Sequence, residues 1–221
     1  FHVLAPDALG FGYTERPSGT IYSVDAWVEH TLAFLDALGI DRFSVVGNSM
    51  GGRVALGISA ACPDRVRSMV LMGSGGPRME PTEGLKALRA YTPSTDNMRT
   101  LMSEYFAFDK SIVTDDLVRA RYEASILPGA QETYHEMFHD PKHQAGQAPL
   151  TDEQLATIEV PTLVVHGRND KVVPLSNGYT LASLIPNAQL HVFNKCGHWV
   201  QIEHSSFFSS LVELFLGSVD G

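Results

Sequence analysis

The sequence predicts an α/β protein with a mostly parallel, doubly wound sheet interrupted by a helical segment. Three observations carry this. Apolar strand-like runs alternate with helical patterns early in the chain. One junction, Phe43-Ser44-Val45-Val46-Gly47-Asn48-Ser49-Met50-Gly51-Gly52, reads as strand, tight turn and helix in succession. From about residue 79 to 149 the strand signal is lost, and it returns at Pro161-Thr162-Leu163-Val164-Val165-His166-Gly167. Strands separated by helices argue for parallel pairing, because parallel neighbours need a crossover connection. The expected organisation is a core of residues 1–77 and 150–221 with a helical cap at 78–149.

In order along the chain, residues 1–5 read as a buried strand, followed by the glycine-rich loop Pro6-Asp7-Ala8-Leu9-Gly10-Phe11-Gly12-Tyr13-Thr14, which Arg16-Pro17 continues. That loop lacks the Gly-x-Gly-x-x-Gly spacing of a phosphate cradle. Ser23 is an N-cap for a helix through Trp27, Leu32, Leu35 and Leu38, closed by Gly39. After the 43–46 strand comes a helix rich in small residues (Gly51, Gly52, Ala55, Gly57, Ala60, Ala61), suited to close packing on a sheet and ended by Pro63. Val66-Arg67-Ser68-Met69-Val70-Leu71-Met72 is the next strand, broken by Gly73-Ser74-Gly75-Gly76-Pro77. Stretches 85–88, 98–106 and 115–124 are amphipathic and helical, punctuated by Pro93, Pro128-Gly129 and Pro141. Their methionines and aromatics line a pocket or form the segment's own small core, and core is the more frequent role for such residues. After the 162–166 strand come a helix at about 176–184, a strand at 190–193, a loop through His198 and a closing helix at 203–216.

The chain has 221 residues, 44% hydrophobic and 19% charged, which is ordinary for a soluble globular protein. Its net charge of −9 and the absence of a basic stripe exclude nucleic acid as an expected partner. No apolar run is long enough to span a membrane, and no signal-peptide pattern opens the chain. Cys62 and Cys196 are too few for a disulfide framework, so a reduced, cytoplasmic setting is expected. No cofactor motif stands out. Nor does any metal-ligand cluster, since His135 and His139 lie one turn apart without a companion ligand.

The chemistry centres on Ser49. In Gly-x-Ser-x-Gly the serine occupies a strained strand-to-helix turn with its Oγ exposed, and the Met50 N–H points to where an oxyanion would form. A serine hydroxyl is protonated at neutral pH and needs a base, which in turn needs a group to hold its tautomer. Loops that follow parallel strands converge on one rim. Asp170 lies just past the 162–166 strand and His198 just past the last strand, in the order Ser, Asp, His that accompanies this elbow. The competing groups fit less well. His166 sits at a strand end, His191 lies within a strand, Asp7 precedes the serine, and Glu203 and His204 read as helix-capping or surface groups.

These stretches resemble the α/β-hydrolase superfamily and, within it, the meta-cleavage product hydrolases, which break C–C bonds in bacterial aromatic degradation. The resemblance rests on 3–7 with Gly10-Phe11-Gly12-Tyr13-Thr14-Glu15-Arg16-Pro17, on Val46-Gly47-Asn48-Ser49-Met50-Gly51-Gly52, and on 71–76. It extends to Arg119-Ala120-Arg121-Tyr122-Glu123-Ala124-Ser125, 167–174, and 193–204 with Lys195-Cys196-Gly197-His198-Trp199. It implies an anionic 2-hydroxy-6-oxo-2,4-dienoate substrate, cleaved by water into 2-hydroxypenta-2,4-dienoate and a carboxylic acid. It also implies Arg121 on the dienoate carboxylate and Asn48 and Trp199 beside the substrate. A bidentate cation suits an anion bound by an acidic protein. Cys196 matches too, with a buried apolar role as apt as a polar one.

The resemblance also implies strands and a second oxyanion donor ahead of residue 1, so this chain is expected to lack the amino-terminal part. With the Met50 N–H alone, loss of one donor costs on the order of 10²–10³ in rate. An exposed sheet edge would invite pairing with a second copy, which makes a homo-oligomer an expectation. A carboxylesterase using the same three residues and a catalytically impaired remnant are the competing readings. Serine at the elbow disfavours dehalogenases and epoxide hydrolases, which need an aspartate there.

Overall fold

The computed structural model describes residues 1–76, 79–146 and 148–219, with the side chains of residues 144 and 145 excepted. Four strands form one parallel sheet in the order β1-β2-β3-β4: β1 (Phe43–Asn48), β2 (Val66–Met72), β3 (Thr162–Gly167) and β4 (Ala188–Phe193). The helices are α1 (Val24–Ala37), α2 (Met50–Ala61), α3 (Glu83–Arg89), α4 (Thr95–Leu101), α5 (Asp115–Ser125) and α6 (Ala130–His139). They continue with α7 (Pro141–Ala145), α8 (Asp152–Ala156), α9 (Leu175–Leu184), α10 (Val200–Glu203) and α11 (Ser205–Val219).

The period-2 alternation of β2 and β3 builds two cores. Met69, Leu71 and Val164 face α1, α2, α8 and α9, whereas Val70, Met72, Leu163 and Val165 face α11 through Phe208, Leu211 and Phe215. Strands buried on both faces read as continuous apolar runs, which is why 66–72 and 162–167 were legible. The expected doubly wound parallel arrangement is therefore present, with helices on both faces.

The expected strand at 1–5 is not. This segment has no ladder, and Phe1 and Val3 are each 78% exposed. The reason is geometric: β1 pairs only with β2, and no described strand lies beside residues 1–5 to accept their hydrogen bonds. The closing helix also starts later than expected, at Ser205, after the separate turn of α10. Pro77, and with it the expected 77/78 boundary, lies outside the described residues.

Between β2 and β3 the regular elements among the described residues are all short helices or helical turns. Seven-residue helices are marginal on their own. Here four begin at a hydroxyl cap: Thr82 for α3, Ser94 for α4, Thr114 for α5 and Thr151 for α8, the last in a full capping box with Gln154. Such caps contribute about 1 kcal/mol each. α4 runs into a π-helical turn, Met102–Phe106. Met98, Met102, Val113 and Val118 form a local apolar cluster that is completed by Trp199 from the loop after β4. Met137 of α6 packs with Tyr22 and Trp27, and the Trp27 indole N–H donates to Leu9 O at 3.0 Å, which ties α6 and the glycine-rich loop to α1.

Candidate active site

Ser49 separates β1 from α2 with φ 56° and ψ −114°. A positive φ is unusual for a side chain larger than glycine and marks stored backbone strain. The turn is this sharp because Gly47 permits it: a Cβ there would collide with the backbone of Gly51. The Ser49 N–H donates to Met72 O at 2.9 Å, which pins the elbow to the end of β2. Met50 is the first residue of α2, where the leading N–H groups have no acceptor within the helix. They provide the partial positive charge that an oxyanion needs.

Asp170 and His198 meet as the chain order anticipated. The His198 ring Nδ1 lies 2.7 Å from Asp170 Oδ2, with both side chains almost wholly buried. Asp170 Oδ1 accepts the N–H groups of Val172 and Val173 at 2.8 and 2.9 Å. With one oxygen so occupied, the other is held for the imidazole. An ionised carboxylate only accepts, so the proton of this contact belongs on Nδ1, which leaves Nε2 as the basic nitrogen. The pair is packed against Gly73, at φ 46°, where a Cβ would stand 2.9 Å from Asp170 Oδ2 and 3.0 Å from His198 Nδ1.

Ser49, Met50 and His198 line one cavity of about 450 Å³, together with Asn48, Arg121 and Trp199. Every residue expected at the site, apart from the carboxylate that stands behind the histidine, therefore opens onto the same space. The Asn48 side-chain amide donates to Met72 O at 2.9 Å and reaches His198 O at 3.5 Å, so it also ties the elbow to the histidine loop. The Arg121 guanidinium lies 5.4 Å above the Trp199 ring, a cation–π contact that holds it at the cavity wall. Much of the rest of the wall is apolar: Phe11, Leu88, Met98, Met102, Phe106 and Phe138. Met98 and Met102 thus fill the local core and line the pocket at once.

The alternative acids and bases make other contacts. His166 is buried, and its Nε2 contacts Val173 O at 2.9 Å and lies 3.6 Å from Asp170 Oδ2, behind the His198 pair. Burial first of all pushes its pKa below the ordinary value, which keeps it neutral. Asp7 closes a turn by accepting the Tyr13 N–H at 2.9 Å. His191 packs on Phe193 and Phe207. His135 and His139 stack on each other, and no group of three metal-ligating side chains occurs among the described residues. No helix among them is long and apolar enough to cross a membrane.

Two residues play larger parts than the sequence suggested. Arg16, read only as loop, reaches the cavity wall and donates to Gly12 O at 3.0 Å. Glu203 is neither a helix cap nor a surface group. It accepts the Gly197 N–H at 2.7 Å beside His198.

A family model described as alpha/beta hydrolase fold matches residues 1–205. A 2-hydroxymuconate semialdehyde hydrolase of Pseudomonas putida is 50% identical over 220 residues, covering 99% of this chain and 78% of that protein. A 2-hydroxy-6-oxo-2,4-heptadienoate hydrolase of Pseudomonas putida F1 is 47% identical over 219 residues, covering 99% of this chain and 79% of the other. Among solved structures, a meta-cleavage product hydrolase from Pseudomonas fluorescens IP01, complexed with acetates, superposes with a TM-score of 0.92 at 48% identity, covering 97% and 79% of the two chains.

Proposed function

Because the chain belongs to the α/β-hydrolase fold family, and its relatives include meta-cleavage product hydrolases, we propose that it hydrolyses the C5–C6 bond of 2-hydroxy-6-oxo-2,4-dienoates. The observation that carries this reading is the convergence of three features on one cavity: a serine on a strained elbow, a carboxylate-held imidazole, and an arginine stacked on tryptophan.

In this mechanism Arg121 binds the dienoate carboxylate, and Asn48 and Trp199 flank it. The 2-enol ketonises by moving its proton to C5, so that the electrons of the breaking C–C bond have a conjugated carbonyl to enter. His198 Nε2 takes a proton as Ser49 Oγ, or a water that Ser49 assists, adds to C6. The Met50 N–H meets the oxygen as it gains charge. The C5–C6 bond then breaks, the electron pair passes through C5 into the C2 carbonyl system, and the protonated His198 returns the proton to the C2 oxygen; where Ser49 Oγ made the addition, a water activated by His198 then hydrolyses the acyl-serine and frees the acid. Net addition of one water gives 2-hydroxypenta-2,4-dienoate and a carboxylic acid. Asp170 keeps the imidazole in one tautomer throughout. Residues 78–149 serve as a cap over a core of 1–77 and 150–221. No cofactor takes part, and a reduced cytoplasmic setting accords with the free thiols of Cys62 and Cys196.

The test follows loss of the coloured dienolate spectrophotometrically for methyl and phenyl C6 substituents side by side, in wild type and Arg121→Ala. Losing a charged bidentate contact lowers dienoate kcat/KM by roughly 10- to 100-fold, while hydrolysis of a neutral ester changes by less than about threefold. Equal losses on both substrates would sink the anion-binding role and favour the carboxylesterase.

A further inference from the structure

Glu203 ends α10, and its carboxylate turns back towards the site. Oε1 accepts the Gly197 N–H at 2.7 Å, and Oε2 accepts the N–H groups of Phe108 and Asp109 at 2.8 and 3.0 Å. One side chain thus joins two segments far apart in sequence. The first is the loop that carries His198. The second is the chain leaving the π-helical turn at Met102–Phe106.

The same junction is closed by the His198 N–H, which donates to Phe106 O at 2.7 Å. The Phe106 ring lies 5.6 Å from the His198 ring and 5.0 Å from Trp199. The two backbones touch, since a Cβ on Gly197 would stand 2.9 Å from Phe108 N. Beneath them, the Cys196 Sγ is 3.7 Å from Glu203 Oε1. Burial, and then the Glu203 carboxylate, push the Cys196 thiol up, so it stays protonated and can donate weakly to that carboxylate.

We infer that Glu203 is a positioning residue for His198. Its carboxylate fixes the backbone on which the imidazole is mounted and the aromatic wall against which the ring lies, so the base and the helical segment over the site are set as one unit. Three N–H groups converge on one carboxylate, and such charge-assisted bonds are roughly twice as strong as neutral ones. A glutamine would turn an NH₂ group towards an N–H donor, and an aspartate is one methylene too short.

This inference rests on the reading of Ser49, His198 and Asp170 given above. The test times phosphonylation of Ser49 by a fluorophosphonate in wild type, Glu203→Gln and Glu203→Asp, alongside kcat and KM for the methyl dienolate. A base misplaced by about 1 Å loses on the order of 10²-fold in rate. Labelling and kcat are therefore expected to fall together by about 10- to 100-fold in the glutamine variant. KM is expected to change by less than kcat falls, because Arg121 itself is mounted on α5 and only its Trp199 platform shares the His198 loop. The aspartate variant falls between. Wild-type labelling in folded Glu203→Gln overturns the inference, as does a change confined to KM. If the glutamine variant does not fold, wild-type labelling in Glu203→Asp overturns it instead. A wild type that labels but leaves the dienolate intact refutes the substrate and spares the inference, whereas a wild type that does not label refutes both.

Discussion

The sheet and the helical segment between β2 and β3 hold themselves together differently. In β2 and β3 nearly every residue is buried, and each face packs against helices. The helical segment consists of short helices, four of them begun by hydroxyl caps, and its apolar cluster closes only when Trp199 of the histidine loop and Ile202 of α10 enter it. The sheet carries the reactive groups on a self-sufficient scaffold. The wall of the cavity is assembled partly on the reactive loop itself. Binding and chemistry are thus mechanically joined on the His198 side.

The sharpest way to separate these regions is to disable the chemistry without touching the wall. Asp170→Asn leaves the side-chain shape but favours the wrong imidazole tautomer, a change that lowers turnover by about 10⁴-fold in a known triad. Dienolate should still bind, with its displaced absorbance visible on mixing and turnover lost. Next in size is a contrast in packing. Leu71→Ala and Met102→Ala remove side chains that are both fully enclosed, at 0% exposure. Each costs about 2–5 kcal/mol if its region unfolds with the whole. The Leu71 change should move the urea midpoint by that amount. The Met102 change should move it less and instead speed amide exchange locally across residues 82–125. Equal midpoint shifts would show that the two regions unfold as one.

The smallest effect concerns pH. His166 has a folded pKa below its ordinary value of 6.5, mainly through burial. As pH falls below 6.5 the unfolded chain gains this proton and the folded one does not, so stability declines with acid across that window. His166→Gln should flatten the fall in Tm between pH 7 and 5. An unchanged slope would place the acid sensitivity elsewhere.

Much of this was legible beforehand, for identifiable reasons. Strands buried on both faces, and an elbow that needs glycine, leave marks in a single stretch of chain. Ser49, Asp170 and His198 were singled out because strand ends share a rim. Residues 1–5 misled, since β-rich composition does not reveal whether a partner strand exists. Glu203 was missed because its acceptors' partners are backbone N–H groups of Phe108 and Asp109, which carry no side-chain signature. Arg16 was missed because a loop arginine looks the same whether it faces solvent or a cavity.

The positive φ at Ser49 has a bearing on engineering. A residue with a Cβ held in that region carries strain on the order of 1–3 kcal/mol, which a glycine would release. The most comfortable residue at this position is therefore one without a hydroxyl. A screen for heat tolerance alone would tend to replace Ser49 with glycine and discard the proposed nucleophile, so any selection for robustness in this scaffold has to score turnover at the same time.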